Sequence, residues 1–313
     1  MHGLTRSPGP PTYADVGADA EAPGDRGPHH QAGESPRRRG ESVISAPRLT
    51  VADGVSFAGQ GLHGGQPVRV TVHPGAAGIA FRVGDQRVPA TPNEVTDTRR
   101  CTQLGPVATI EHLMSAFAGL GITDAEIEVE GGEMPALDGS AKEFVAGLQS
   151  VGMAPCGKLH IEGLFKRVYF IEGDVKVAMA AGTGRVRYEY DNTPRWPGVQ
   201  EVEFVLSPES YAAEIAPART FAFREEVEPL RQMGLGLGLS EDSCVILEAD
   251  GYAYPPRFPD EPARHKLLDL MGDLLLAGVP WSVMQVTAHR SGHRTNVAAA
   301  ARLAECITIT REN

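Results

Sequence analysis

The chain has 313 residues, enough at about 100–200 residues per domain for two domains that each bury a core. It is 42% hydrophobic and 22% charged with a formal net charge of −11, which excludes a general nucleic-acid binder but leaves room for a local basic pocket that takes one diphosphate. No apolar run reaches the about 18 residues of a membrane-spanning helix, and the N-terminus lacks the apolar core of a signal peptide.

Residues 1–46 are dominated by Pro, Gly and charge, and are expected to be a disordered extension, with His29 and His30 part of a solvated tail. From Arg48 the pattern becomes β-rich. Residues 68–74 alternate and are β-branched, and residues 78–83 follow a Gly-rich turn. The first helix is expected over 110–120, because Ile110, Leu113, Met114, Phe117 and Ala118 recur at helical spacing and Gly121 stops it. A strand over 124–131, a turn at Asp138-Gly139 and a capping box from Ser140 to Glu143 follow, the last opening a helix to about Gln149.

The second half repeats this texture. Residues 159–182, 186–192 and 202–207 read as strands, and 209–215 as a short helix. A long helix over 263–277 ends at Gly278, a strand runs from 279 towards 292, and an Ala-rich helix covers 296–305. The expected fold class is α+β, with a first domain at 47–157 and a second at 158–313. Identity between the halves is too weak to establish a repeat.

Two helices carry the candidate chemistry. On the 263–277 helix, Leu267, Leu270, Met271, Leu274 and Leu275 form an apolar face, while His265, Asp269 and Asp273 recur every four residues on the other, with Lys266 beside them. A His and an Asp one turn apart can address one metal ion, and the same spacing also suits an exposed polar face. On the first helix Glu111 and His112 lie off the apolar face, which suits either a solvated flank or the remainder of a metal site. Zinc catalysis uses three protein ligands and an open position, so two His and one Asp would suffice, with Glu111 left as a base. The four cysteines, Cys101, Cys156, Cys244 and Cys306, are scattered without a C-x-x-C pair, which points away from a disulfide framework and towards a reducing, cytoplasmic compartment.

Seven stretches, in order, resemble the UDP-3-O-acyl-N-acetylglucosamine deacetylases, the zinc enzymes of lipid A synthesis. They are GVSFAGQGLHGGQPV (54–68), TDTRRCTQLG (96–105), TIEHLMSAFAGLGITDAEIEV (109–129), GGEMPALDGSAKEFV (131–145), IAPARTFAF (215–223), RFPDEPARHKLLDLMGDLLLAG (257–278) and SGHRTN (291–296). The resemblance covers 48–305, and several motifs in order are more specific than one short pattern. It implies two similar two-layer domains, each a sheet packed against helices, with the active site between them.

The resemblance also implies roles. His112, His265 and Asp269 match zinc ligands, and Glu111 matches the general base for the attacking water. His293 matches the residue that protonates the leaving amine, Asp273 one that orients it, and Thr220 a hydroxyl that stabilises the oxyanion. Lys266 and Phe221 match contacts to the sugar nucleotide. The implied reaction releases acetate from UDP-3-O-acyl-N-acetylglucosamine, the committed step of lipid A biosynthesis, by a monomeric cytoplasmic enzyme whose partner is that fatty-acylated sugar nucleotide. A paralogue acting on a sugar nucleotide with a short or no acyl chain, and a silent sugar-nucleotide-binding protein, are the alternatives.

The chain departs from the family pattern away from the metal. Arg100 stands where a Leu is usual, Arg224 where an apolar residue is common, Leu239 in place of a Gly and Ser243 in place of an Asn. These changes are expected to make the acyl passage narrower or more polar, since an unpaired Arg beside a lipid chain is costly.

Overall fold

Two five-stranded sheets with the same strand order organise the chain. The computed structural model describes residues 43–163 and 166–312. Strand β1 (Val43–Val51) is followed by β2 (Val55–Gln60), β3 (Pro67–Pro74), β4 (Ile79–Val83) and β5 (Gln86–Pro89), then by the small pair β6 (Val95–Asp97) and β7 (Gln103–Leu104). Helix α1 (Glu111–Leu120), β8 (Ala125–Glu130) and α2 (Lys142–Val151) complete the first half. Strand β9 (Met153–Glu162) leads into β10 (Val168–Glu172), β11 (Val175–Ala181), β12 (Arg185–Asp191) and β13 (Val199–Val205). Next come α3 (Pro208–Glu214), β14 (Phe221–Phe223), α4 (Arg224–Gln232), β15 (Val245–Leu247) and α5 (Glu261–Leu275). The chain closes with β16 (Met284–His289), α6 (His293–Glu305) and β17 (Thr308–Glu312).

The first sheet runs β2-β3-β8-β4-β5 and the second β10-β11-β16-β12-β13. In each, the last strand to form enters the middle, parallel to one neighbour and antiparallel to the other. Helix α1 precedes that central strand in the first half, and α5 precedes it in the second. The repeat that identity left undecided is therefore present in topology. Strands β1, β9 and β17 form a separate three-stranded sheet.

Alternation decides which face each sheet buries. Val68, Val70 and Val72 of β3 and Ala125, Ile127 and Val129 of β8 point into the core, while Arg69, Glu128 and Glu130 face outwards. The expected first helix is observed, and Gly121 closes it in the left-handed region at φ 74°. Gly278, at φ 75°, lies just beyond α5.

Several boundaries differ from expectation. Strand β1 starts at Val43, ahead of the boundary at 46; residues 1–42, His29 and His30 among them, lie outside the described residues. The capping box at Ser140 is not made. Ser140 Oγ donates to Asp138 Oδ1 at 2.6 Å and accepts from the Lys142 N–H at 3.2 Å, so the hydroxyl is engaged in the turn, and Glu143 is exposed. The terminal helix α6 starts at His293, not Asn296. Helix α4, rich in charge and with Val227 and Leu230 as its only large apolar residues, was not expected.

A buried ion pair ties the β1 sheet to the first half. Arg48 and Asp124 are both fully buried, with Nη2 to Oδ1 at 2.8 Å, and Asp124 Oδ1 also accepts from the Gly78 N–H at 2.7 Å. Asp124→Ala should destabilise the protein by about 3–5 kcal/mol, because it removes the carboxylate that faces a buried guanidinium. Urea unfolding measures this, and a loss below about 1 kcal/mol would place the pair with weak surface bridges.

Candidate active site

Helices α1 and α5 pack closely against each other in the buried core, and the candidate residues sit at that crossing. All ten residues of α1 are buried, Glu111 and His112 included. His265, Asp269 and Asp273 of α5 are 3%, 1% and 1% exposed, so neither helix presents a solvated polar face. The crossing is tight at Gly272, where an added Cβ would lie 2.1 Å from the Glu111 carbonyl oxygen. Gly272→Ala should therefore force the helices apart, at about 1–3 kcal/mol for overpacking, and should weaken metal retention along with stability. Thermal unfolding and a metal-competition titration read the two effects. Loss of stability with unchanged metal affinity would show that the crossing does not set the donor spacing.

The crossing brings three donors together. His112 Nε2 lies 3.8 Å and His265 Nε2 3.5 Å from Asp269 Oδ1. The donor atoms of the three residues all lie within 4.8 Å of one another. His265 Nδ1 lies 3.1 Å from the Ala218 carbonyl oxygen; donation of its proton there fixes the tautomer and leaves the Nε2 lone pair pointing at the cluster. Asp269 Oδ2 accepts from Lys266 Nζ at 2.9 Å, while Oδ1 is buried without a hydrogen-bond partner. An orphaned carboxylate oxygen between two imidazole nitrogens fits a divalent cation at about 2.0–2.2 Å from each donor.

The charges of the site suit the same reading. Burial, with His265 nearby, lowers the His112 imidazole to about 3, and burial also lowers His265, so both rings are neutral donors. Burial opposes charge on Asp269, but Lys266 and the neighbouring histidines hold its carboxyl well below the usual range.

A second group faces the first. His293, the opening residue of α6, has Nδ1 3.1 Å from Asp273 Oδ2, and its Nε2 lies 3.9 Å from Glu111 Oε1 and 3.7 Å from Asp269 Oδ2. Burial raises Glu111 to about 8, partly offset by His293 and reinforced by Asp273 and Asp269. Burial disfavours the His293 imidazolium, yet Asp269, Asp273 and Glu111 outweigh it and raise the group to about 9. Glu111 as a carboxylate base facing His293 as an imidazolium acid is the pairing that amide cleavage requires.

A cavity of about 260 Å³ opens onto these groups and includes Thr220, Phe221 and Lys266 in its wall. Thr220 is placed by the Asp138-Gly139 turn: its N–H donates to the Gly139 carbonyl at 2.8 Å. Gly139 has φ 78°, and a Cβ there would meet the Ser243 carbonyl oxygen at 1.7 Å, so this contact needs glycine. The Phe221 ring stands edge-on to His265, and Lys266 Nζ is 5.5 Å from the Phe221 centroid. All nine residues singled out in the sequence thus meet at one site.

An apolar groove of about 150 Å³, lined by Val227, Leu230, Leu235, Leu239 and Ile246, shares Leu230, Leu235 and Leu239 with this cavity. Neither departing arginine is buried without a partner. Arg100 Nη1 is 3.6 Å from Glu226, Arg224 Nε is 2.9 Å from Glu248, and both arginines are about half exposed. Arg100 nevertheless lines the cavity, Arg224 lines the groove, and Leu239 lines both.

Sequence reasoning missed Thr102, Asn296 and Glu133. Thr102 contacts Glu111, Asp273 and His293, and Asn296 Nδ2 donates to Asp273 Oδ2 at 3.0 Å. Glu133 accepts from the His63 and Gly64 N–H groups at 2.6 and 3.0 Å, holding that loop against the cavity. These residues lie in loops or at a helix start, where periodicity carries no signal.

The family model described as LpxC, UDP-3-O-acyl N-acetylglycosamine deacetylase, matches residues 48–305. The chain is 37% identical over 276 residues to the UDP-3-O-acyl-N-acetylglucosamine deacetylase of Thermosynechococcus vestitus, covering 84% of this chain and 96% of that protein. It is 37% identical to the protein of the same name from Oleidesulfovibrio alaskensis, over 80% of this chain and 86% of that one. The identity is 38% with that of Anaeromyxobacter dehalogenans, over 80% and 84%.

Proposed function

The chain belongs to the UDP-3-O-acyl N-acetylglycosamine deacetylase family, and on that premise we propose that it removes the acetyl group of UDP-3-O-acyl-N-acetylglucosamine in lipid A biosynthesis. The observation that carries the reading is the buried cluster of His112, His265 and Asp269 facing a base and an acid across one cavity. His112 comes from residues 47–157, and His265 and Asp269 from 158–313, the two domains that we propose share the site.

These three residues would hold a zinc ion, which supplies Lewis acidity that lowers the pKa of water and polarises a carbonyl. Glu111 takes the proton of the attacking water, a task that suits a carboxylate raised towards neutrality. The Thr220 hydroxyl donates to the oxygen on which negative charge develops, worth about 3–4 kcal/mol for a well-placed donor. The sugar amine leaves only if protonated, and His293 Nε2 carries that proton while Asp273 holds Nδ1. Lys266 and Phe221 bind the sugar nucleotide, and the groove along Leu230, Leu235 and Leu239 receives the acyl chain. No helix among the described residues is long and apolar enough to cross a membrane, and we propose that the enzyme works as a cytoplasmic monomer.

Acetate release from UDP-3-O-acyl-N-acetylglucosamine by zinc-loaded protein tests the proposal, with UDP-N-acetylglucosamine as comparator. Preference for the acylated substrate is expected. Equal or greater turnover of the comparator would point to a paralogue with little use for an acyl chain, a reading that Leu239 in the groove wall favours. Folded, zinc-bound protein that binds either compound without releasing acetate would be a sugar-nucleotide-binding protein.

A further inference from the structure

We propose that Thr102 is a positioning residue that holds the acid pair His293–Asp273 in register with the base Glu111. The proposal rests on the reading of those three groups given above.

Thr102 is fully buried and comes from the loop entering β7, in the first half of the chain. Its main chain and side chain address the two arms of the site separately. The Thr102 N–H donates to Glu111 Oε2 at 3.0 Å. Its hydroxyl donates to Asp273 Oδ1 at 2.5 Å and lies 3.4 Å from His293 Nδ1. Asp273 Oδ2 meanwhile takes the His293 Nδ1–H at 3.1 Å and the Asn296 amide at 3.0 Å.

The carboxylate of Asp273 is thus held from both oxygens, and among the described residues only Thr102 engages Oδ1 from the half that carries Glu111. Without that hydroxyl the carboxylate can rotate about its axis, and the imidazole it orients turns with it. The Glu111 Oε1 to His293 Nε2 separation of 3.9 Å then ceases to be fixed. Outer partners of this kind typically contribute about 10–100-fold to activity by orienting a group they do not themselves replace.

The division of labour makes a selective test available. Thr102→Val removes the hydroxyl and keeps the N–H that Glu111 accepts. In the zinc-loaded full chain, kcat for UDP-3-O-acyl-N-acetylglucosamine should fall about 10–100-fold, with KM and zinc content unchanged. Thr102→Ser should recover most of the loss. In the Asp273→Asn background Thr102→Val should cost little more, because both changes break the same link. A separate readout is the Nδ1–H signal of His293 in ring-labelled protein, assigned by its disappearance in His293→Gln; it should move in Thr102→Val and return in Thr102→Ser. Should the valine variant fail to fold, Thr102→Ala gives the same comparison.

Wild-type kcat in Thr102→Val with an unmoved His293 signal overturns the proposal, as does a change in KM alone. Wild-type protein that releases no acetate defeats the deacetylase reading instead, and the His293 signal then decides the positioning role by itself.

Discussion

Replacing His265 with alanine should empty the metal site and stop acetate release while the fold persists. The ring contributes one of three donors, and the remaining two, His112 Nε2 and Asp269 Oδ1, lie 3.8 Å apart. Two donors do not fill a site that needs three protein ligands. The loss should exceed the roughly 100-fold typical for an outer partner, in metal affinity and in activity alike. Folding should suffer less. The Ala218 carbonyl loses its partner at 3.1 Å, at a cost of about 1–3 kcal/mol for a buried acceptor left unsatisfied. Metal analysis after dialysis, circular dichroism and acetate release separate the three quantities. A folded variant that keeps stoichiometric metal and activity would show that the orphaned Asp269 oxygen has another purpose.

The second large effect concerns protons. Glu111→Gln and His293→Gln should each lower kcat by about 10²–10⁴-fold with metal retained, the range for a positioned acid or base. Their pH profiles should differ in sign. Glu111 works as a carboxylate, so its limb rises with pH; His293 works as an imidazolium, so its limb falls as pH rises. Burial places Glu111 at about 8, and the surrounding carboxylates place His293 at about 9. A dication beside them favours loss of both protons, so in the loaded enzyme the rising limb should lie below about 8 and the falling limb no higher than about 9. The falling limb should vanish in His293→Gln and the rising limb in Glu111→Gln. A falling limb that survives His293→Gln would assign the acid elsewhere.

The local elements that position these groups were legible because their signals are local. The apolar stripe of α1 and the glycines after α1 and α5 mark two helices directly. What those helices do was not decided locally. His265 and Asp269 at i and i+4 suit a solvated face as well as a metal, and the answer came from the crossing of α1 on α5, between residues more than 140 positions apart in sequence. Motifs in their order supplied it beforehand; spacing alone could not. The sheet of β1, β9 and β17 was invisible for the same reason, since β9 in the middle of the chain pairs with one strand towards each end. Helix α6 begins three residues early because Gly292 and Thr295 cap it, and no apolar repeat marks that first turn. The departures at Arg100 and Arg224 were legible as changes, but the acidic partners Glu226 and Glu248 are supplied by tertiary structure.

The doubled strand order has a thermodynamic corollary. Equivalent helices of the two repeats supply unequal shares of one cluster: α1 gives His112, and α5 gives His265 and Asp269. Neither repeat by itself has enough donors for a tight site, so an ion held there is bound only while both are folded. Binding energy of that kind enters the unfolding equilibrium by mass action, and it enters as a coupling between the repeats. Chelation should therefore lower the melting temperature of both repeats together, because one continuous apolar core runs through them.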